Sequence, residues 1–85
     1  METLAPAEIG RLRWRCRRGM KELDALLRTY LERLAPQAPA VELAAFDALL
    51  DAEDTDLWHW FIGRSRPQRA DWQDIVDRIR AAHTR

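Results

Sequence analysis

Gly19 is the only glycine of this 85-residue chain that separates two long apolar runs of helical period, so the runs must meet at a corner. Upstream, Ile9, Leu12 and Cys16 recur at helical spacing. Downstream, Met20, Leu23, Leu26, Leu27, Tyr30, Leu31 and Leu34 do so more strongly. A glycine at such a joint takes the left-handed conformation that closes a helix, and it lets another backbone approach closely. Arg17 and Arg18 before it, with Glu22 and Asp24 after it, complement the ends of two helix dipoles. On charge alone the corner reads as an ordinary helix stop.

The remaining punctuation divides the chain in the same way. A first helix is expected from Pro6 to about Arg18, with Arg11, Arg15 and Arg18 on one face at i, i+4, i+7. Such a row is solvated, pairs with nearby acids, or docks on an acidic protein surface. The second helix, about Met20 to Leu34, has the broadest apolar stripe and is stopped by Pro36 and Pro39. The third, about Ala40 to Asp51, presents Val41, Ala44, Ala45, Ala48 and Leu49, with Phe46 and Leu50 widening the stripe. Within the acidic turn at residues 51–56, Asp54 is the expected N-cap of a fourth helix, Thr55 to Ile62, which Gly63 ends. That helix offers Leu57, Trp60 and Phe61 to a core and Trp58 and Ile62 to a second face. Ser65 and Gln68 are spaced as a capping box before a fifth helix whose stripe is Trp72, Ile75, Val76, Ile79 and Ala82. No alternating strand pattern occurs, and the expected fold is an all-α bundle of about five short helices with residues 1–5 frayed.

Size and charge bound the function. One domain spanning residues 1–85 is expected, with little interior for a water-excluded pocket. Fourteen basic residues balance fourteen acidic ones, so no net field gathers nucleic acid or anionic lipid, and no helix with base-reading side chains is recognisable. The single cysteine, Cys16, excludes an intrachain disulfide and suits a reducing compartment. Neither a leader nor a membrane-spanning run is legible, which reads as a cytoplasmic protein without membrane insertion. The acidic turn lacks the glycine and distant glutamate of a calcium loop, and His59 and His83 have no clustered partners, so no metal site is expected. Nor is there a nucleophile elbow, a phosphate-cradling loop or a thiolate beside a base. Binding is the favoured class over catalysis, because an interface of about 800 Å² per partner takes a large share of so small a domain.

The run Arg11-Leu-Arg-Trp-Arg-Cys-Arg-Arg-Gly-Met-Lys-Glu-Leu-Asp24 resembles the signature of the small FAD assembly factors called SdhE, whose mark is Arg-Gly-x-x-Glu, here Arg18, Gly19 and Glu22. The same family carries the older label of antitoxin CptB. Arg11, Trp14, Arg17 and Asp24 also fall where similar proteins have like residues. So do the Phe46 to Leu50 run and the turn from Asp54 to Leu57 that leads to Trp60. The chain departs from the pattern in its proline-rich connector and in stopping at Arg85. The resemblance implies an assembly factor, not an enzyme, that binds the flavoprotein subunit of succinate dehydrogenase or of the related fumarate reductase. It would promote covalent attachment of FAD to a histidine of that client. FAD would belong to the client, with no cofactor of the chain's own. Arg18 and Glu22 would contact the client near its FAD site, Gly19 would allow close approach, Arg11 and Asp24 would support the corner, and Arg17 would complete the partner-binding set. The alternatives are an antitoxin-like regulator or a generic protein-binding helical module, with nucleic-acid binding behind them.

Overall fold

The computed structural model describes residues 6–83, and the expected frayed start lies outside them. Five α-helices follow one another: α1 Pro6–Arg15, α2 Lys21–Thr29, α3 Ala40–Leu49, α4 Asp54–Phe61 and α5 Ala70–His83. No strand occurs among the described residues. The all-α expectation holds, and each expected helix is present.

The core draws on every helix. Leu12 and Cys16 meet Leu23, Leu27, Tyr30 and Leu31, and beneath them lie Phe46, Leu49, Leu57, Phe61, Ile75 and Ile79. Helix α5 is the central packing element, in contact with α2, α3 and α4. Tyr30 stacks on Phe46 at 4.0 Å between ring centres, and its hydroxyl donates to Glu42 at 2.8 Å. Glu42 also pairs with Arg78, which ties α3 to α5. Burial and this bond to a carboxylate push the Tyr30 phenol well above its ordinary range.

Several helix details differ from expectation, each for a local reason. The second helix is not uniformly α. After Thr29 it widens into a π turn over Tyr30–Leu34 and tightens into a 3-10 turn over Ala35–Gln37. Pro36 has no N–H, and its ring would crowd the carbonyl four residues back, so the α ladder cannot run through it. The Ala35 N–H bonds instead to the Tyr30 carbonyl, five residues back. In α3 the buried face is Ala45, Phe46, Leu49 and Leu50, whereas Val41 is 77 % exposed and Ala44 is also exposed. Because α3 is apolar nearly all round, periodicity could not select its face; the Tyr30 stack and the Glu42 and Asp47 pairings set its rotation.

At the start of α4 the cap is Glu53, with no side-chain cap bond, and Asp54 lies in the first turn, where its carboxylate is taken by Arg18. The expected Ser65–Gln68 capping box does not form, since Pro67 is buried and bars a helical residue before it. Helix α5 starts at Ala70 instead, with Arg69 clasping Asp71 and lying over Trp72 at 4.7 Å. Gly63 does end α4, at φ +79°. The Arg64 N–H reaches the His59 carbonyl at 2.8 Å and the Gly63 N–H reaches Trp60 at 3.3 Å, a Schellman closure.

Candidate functional site

The corner between α1 and α2 is built from inside outward. Helix α1 stops at Arg15, three residues earlier than the sequence suggests. Its last turn tightens through Arg17 N–H to the Trp14 carbonyl at 3.1 Å. The next donor, the Arg18 N–H, leaves the helix and bonds to Asp24 Oδ1 at 2.6 Å. Asp24 thus reaches back from the first turn of α2 and staples the corner. Gly19 sits at φ +89°, a backbone state that costs side-chain-bearing residues about 1–2 kcal/mol. An added Cβ there would meet nothing within 4 Å, so within the chain the glycine is demanded by φ and not by close packing.

Arg18 braces this corner against the rest of the fold. Its guanidinium donates to the carbonyls of Leu50 at 2.8 Å, Ala52 at 2.7 Å and Arg15 at 3.3 Å, and its Nε donates to Asp54 at 2.7 Å. The fork therefore closes the C-terminal ends of α1 and α3, where carbonyls lack helical partners, and holds the start of α4. Its side chain is only 15 % exposed.

The other two arginines of the row behave alike. Arg11 pairs with Asp47 at 3.0 Å and with Glu8 at 3.2 Å, and Arg15 pairs with Asp47 and Asp51. The pairs Arg11–Asp47, Arg15–Asp51 and Arg18–Asp54 are each separated by 36 residues. An arginine row at i, i+4, i+7 has thus met an aspartate row of the same spacing on the same chain. The Arg11 guanidinium, reinforced by Arg15, holds the Asp47 carboxyl below the usual carboxylate range, although partial burial works the other way. Bonds to Asp47 and Glu8 in turn hold Arg11 above its ordinary value. The matching i, i+4, i+7 spacing of Asp47, Asp51 and Asp54 is the one hint of this pairing that the sequence carries, and it does not by itself select these acids.

Outside this braced interior, the corner presents a different set. Glu22 and Lys21 are exposed and carry no ion pair with any described residue. Arg17 is exposed and lies 5.5 Å above the ring of Trp14, itself 71 % exposed. Glu22 stands at the edge of a groove of about 570 Å³ walled by Leu26 and by Trp58 of α4. Of the residues singled out in the sequence, Glu22, Arg17 and Gly19 face outward, Arg18 and Asp24 hold the corner from within, and Arg11 ties α1 to α3 at a distance from it. Cys16 is buried beneath, its thiol pushed up to about 12 by burial, so it is protonated at neutral pH. Among the described residues no three His, Cys, Asp or Glu side chains gather as a metal site would require. No helix among the described residues is long and apolar enough to cross a membrane.

Helices braced around an exposed charged corner define a small all-α domain. The family model described as flavinator of succinate dehydrogenase matches residues 10–83, and the chain belongs to that family. It is 45% identical over 76 residues to the FAD assembly factor SdhE of Xylella fastidiosa (strain 9a5c), covering 89% of this chain and 78% of that protein. Over 72 residues it is 42% identical to the FAD assembly factors SdhE of Methylococcus capsulatus and Pseudomonas aeruginosa, covering 85% of this chain and 87% and 86% of theirs. No solved structure matches the chain.

Proposed function

We propose that this chain binds the flavoprotein subunit of succinate dehydrogenase and promotes covalent attachment of FAD to it, acting in the cytoplasm as a non-catalytic assembly factor. The observation that carries this reading is membership, over residues 10–83, in the family described as flavinator of succinate dehydrogenase. The corner geometry supports a docking role. Glu22, Gly19 and Arg17 are offered outward, while Arg18 and Asp24 keep the backbone that carries them in one shape. Pre-ordering of this kind lowers the entropy cost of association.

The bond-forming chemistry lies with the flavin and the client histidine, and FAD is the client's group. This chain acts on the client's conformational equilibrium: by binding better to the form in which histidine and flavin are aligned, it raises that form in proportion to its differential affinity. Glu22 contacts the client directly, and Arg18 acts through the shape of the corner. The client is the succinate dehydrogenase flavoprotein, with the fumarate reductase flavoprotein as a related one. Pairing of Arg11, Arg15 and Arg18 with internal aspartates leaves less positive charge for nucleic acid.

The test mixes the purified chain with apo flavoprotein subunit and FAD, and follows covalent flavin by fluorescence in a denaturing gel. The chain is expected to accelerate labelling, and Glu22→Ala to slow it by at least about tenfold, the equivalent of about 1.4 kcal/mol. Thermal stability should fall only by about 0.3–1 kcal/mol, the contribution of a first-turn carboxylate to its helix, since Glu22 is exposed and carries no ion pair with any described residue. Labelling that is no faster with the chain than without it would refute the proposal.

A further inference from the structure

Helix α1 and the corner segment sort their arginines onto two faces. Arg11, Arg15 and Arg18 turn toward Asp47, Asp51 and Asp54, whereas Arg13 and Arg17 are exposed and carry no ion pair with any described residue. Both line a groove of about 540 Å³ between α1 and α2, together with Arg28 from α2. Arg28 has only a 4.0 Å contact to Glu32, both side chains about three-fifths exposed, a pairing too solvated to neutralise it. The single acid lining the groove is Asp24, which already accepts the Arg18 N–H. Three cations thus meet one engaged carboxylate.

One wall is Trp14, 71 % exposed, with Arg17 over its ring, and the floor is apolar, formed by Cys16 and Leu31. Trp14 offers a large apolar face at the groove's edge, with Arg17 lying over one side of its ring. We infer that this groove takes an extended acidic segment of the protein partner, its carboxylates on Arg13, Arg17 and Arg28 and one apolar side chain against Trp14. The inference rests on the client reading above, which makes the segment part of the flavoprotein subunit. Charge complementarity decides for protein over nucleic acid. Only three uncompensated cations line the groove, Glu22 and Glu32 stand exposed on the neighbouring helix, and the remaining arginines of α1 are neutralised internally, so a phosphate backbone has few cations to follow.

The test uses the full chain, fluorescently labelled, on an array of overlapping 15-residue peptides covering the succinate dehydrogenase flavoprotein sequence, at physiological salt. Bound peptides are expected to be acidic with at least one apolar residue, and to be released by high salt. Arg13→Glu with Arg17→Glu, or Trp14→Ala, should weaken them by about tenfold or more. The three substituted side chains are exposed, and circular dichroism melts within a few degrees of the parent confirm that each variant folds.

Capture of peptides without acidic residues, retention by the charge-reversed variant, or tighter binding of a 15-nucleotide single-stranded DNA than of any peptide would overturn the inference. An array on which nothing binds would do so too. The two readings fail separately. Glu22-dependent flavin labelling with full activity of the charge-reversed variant sinks only the groove, whereas acidic-peptide capture without accelerated labelling sinks only the flavinylation role.

Discussion

Replacing Arg18 with alanine should cost more stability than any other substitution at the corner. Three of its hydrogen bonds are short, to Leu50, Ala52 and Asp54 at 2.7–2.8 Å, and its side chain is 15 % exposed. Hydrogen bonds from a charged donor contribute about 1.5–3 kcal/mol each in isolation, but these are not additive. Water can reach the freed carbonyls at the ends of α3, and Asp54 is 39 % exposed, so its share is screened. The net loss is about 3 kcal/mol, which for a domain of this size lowers the melting temperature by about 12–24 °C.

The assay is urea and thermal unfolding followed by circular dichroism at 222 nm. Arg18→Lys keeps the charge without the planar fork and should lose about 2 kcal/mol. A loss under about 1 kcal/mol for Arg18→Ala would refute the reasoning, because water would then replace the guanidinium at little cost and Asp24 with Gly19 would hold the corner alone. The same measurement separates brace from contact. Slower flavin labelling by Arg18→Ala, measured well below its melting temperature, should be matched by other changes that loosen the corner, whereas Glu22→Ala should slow labelling while losing no more than about 1 kcal/mol of stability.

Gly19→Ala should destabilise by about 1–2 kcal/mol through backbone strain alone, and Gly19→Asn by less, as unfolding midpoints will show. Asp47 is held below its ordinary range, so its contribution is fully present above the unfolded carboxylate pKa and is lost as pH falls through the lower folded value; a urea titration across that range should show a shallower acid decline for Asp47→Asn. For Cys16 the sign is opposite. With the thiol pushed up to about 12, its contribution is full below the unfolded value of about 8.5 and fades above it, by about 1.4 kcal/mol at about pH 9.5, a decline that Cys16→Ala should lack. The native thiol should also resist a thiol-reactive disulfide reagent until the chain is unfolded.

Much of the architecture is local and was therefore readable along the chain. Apolar spacing finds all five helices because each must bury one stripe, and Gly63 ends α4 as expected, whereas Gly19 turns the corner beyond the end of α1 instead of closing that helix; both stand at φ values only glycine takes cheaply. The corner residues stood out as a group only through the resemblance of Arg18-Gly19-x-x-Glu22 to a family signature, since charge and spacing alone describe an ordinary helix stop. What each side chain does there was not legible. Charge and spacing describe Arg18 and Glu22 as an opposed pair, yet one is enclosed by carbonyls from three segments and the other stands free.

That division comes from contacts 32 to 36 residues apart, which no local period encodes. The rotation of α3 is decided in the same way, since a helix apolar on most sides accepts several faces until Tyr30, Arg11 and Arg15 select one. Helical periodicity along the chain suffices to place the elements and the corner. Only long-range pairing, in which one arginine row meets an aspartate row and leaves Arg13, Arg17 and Glu22 unmatched, determines which charges are left facing the solvent.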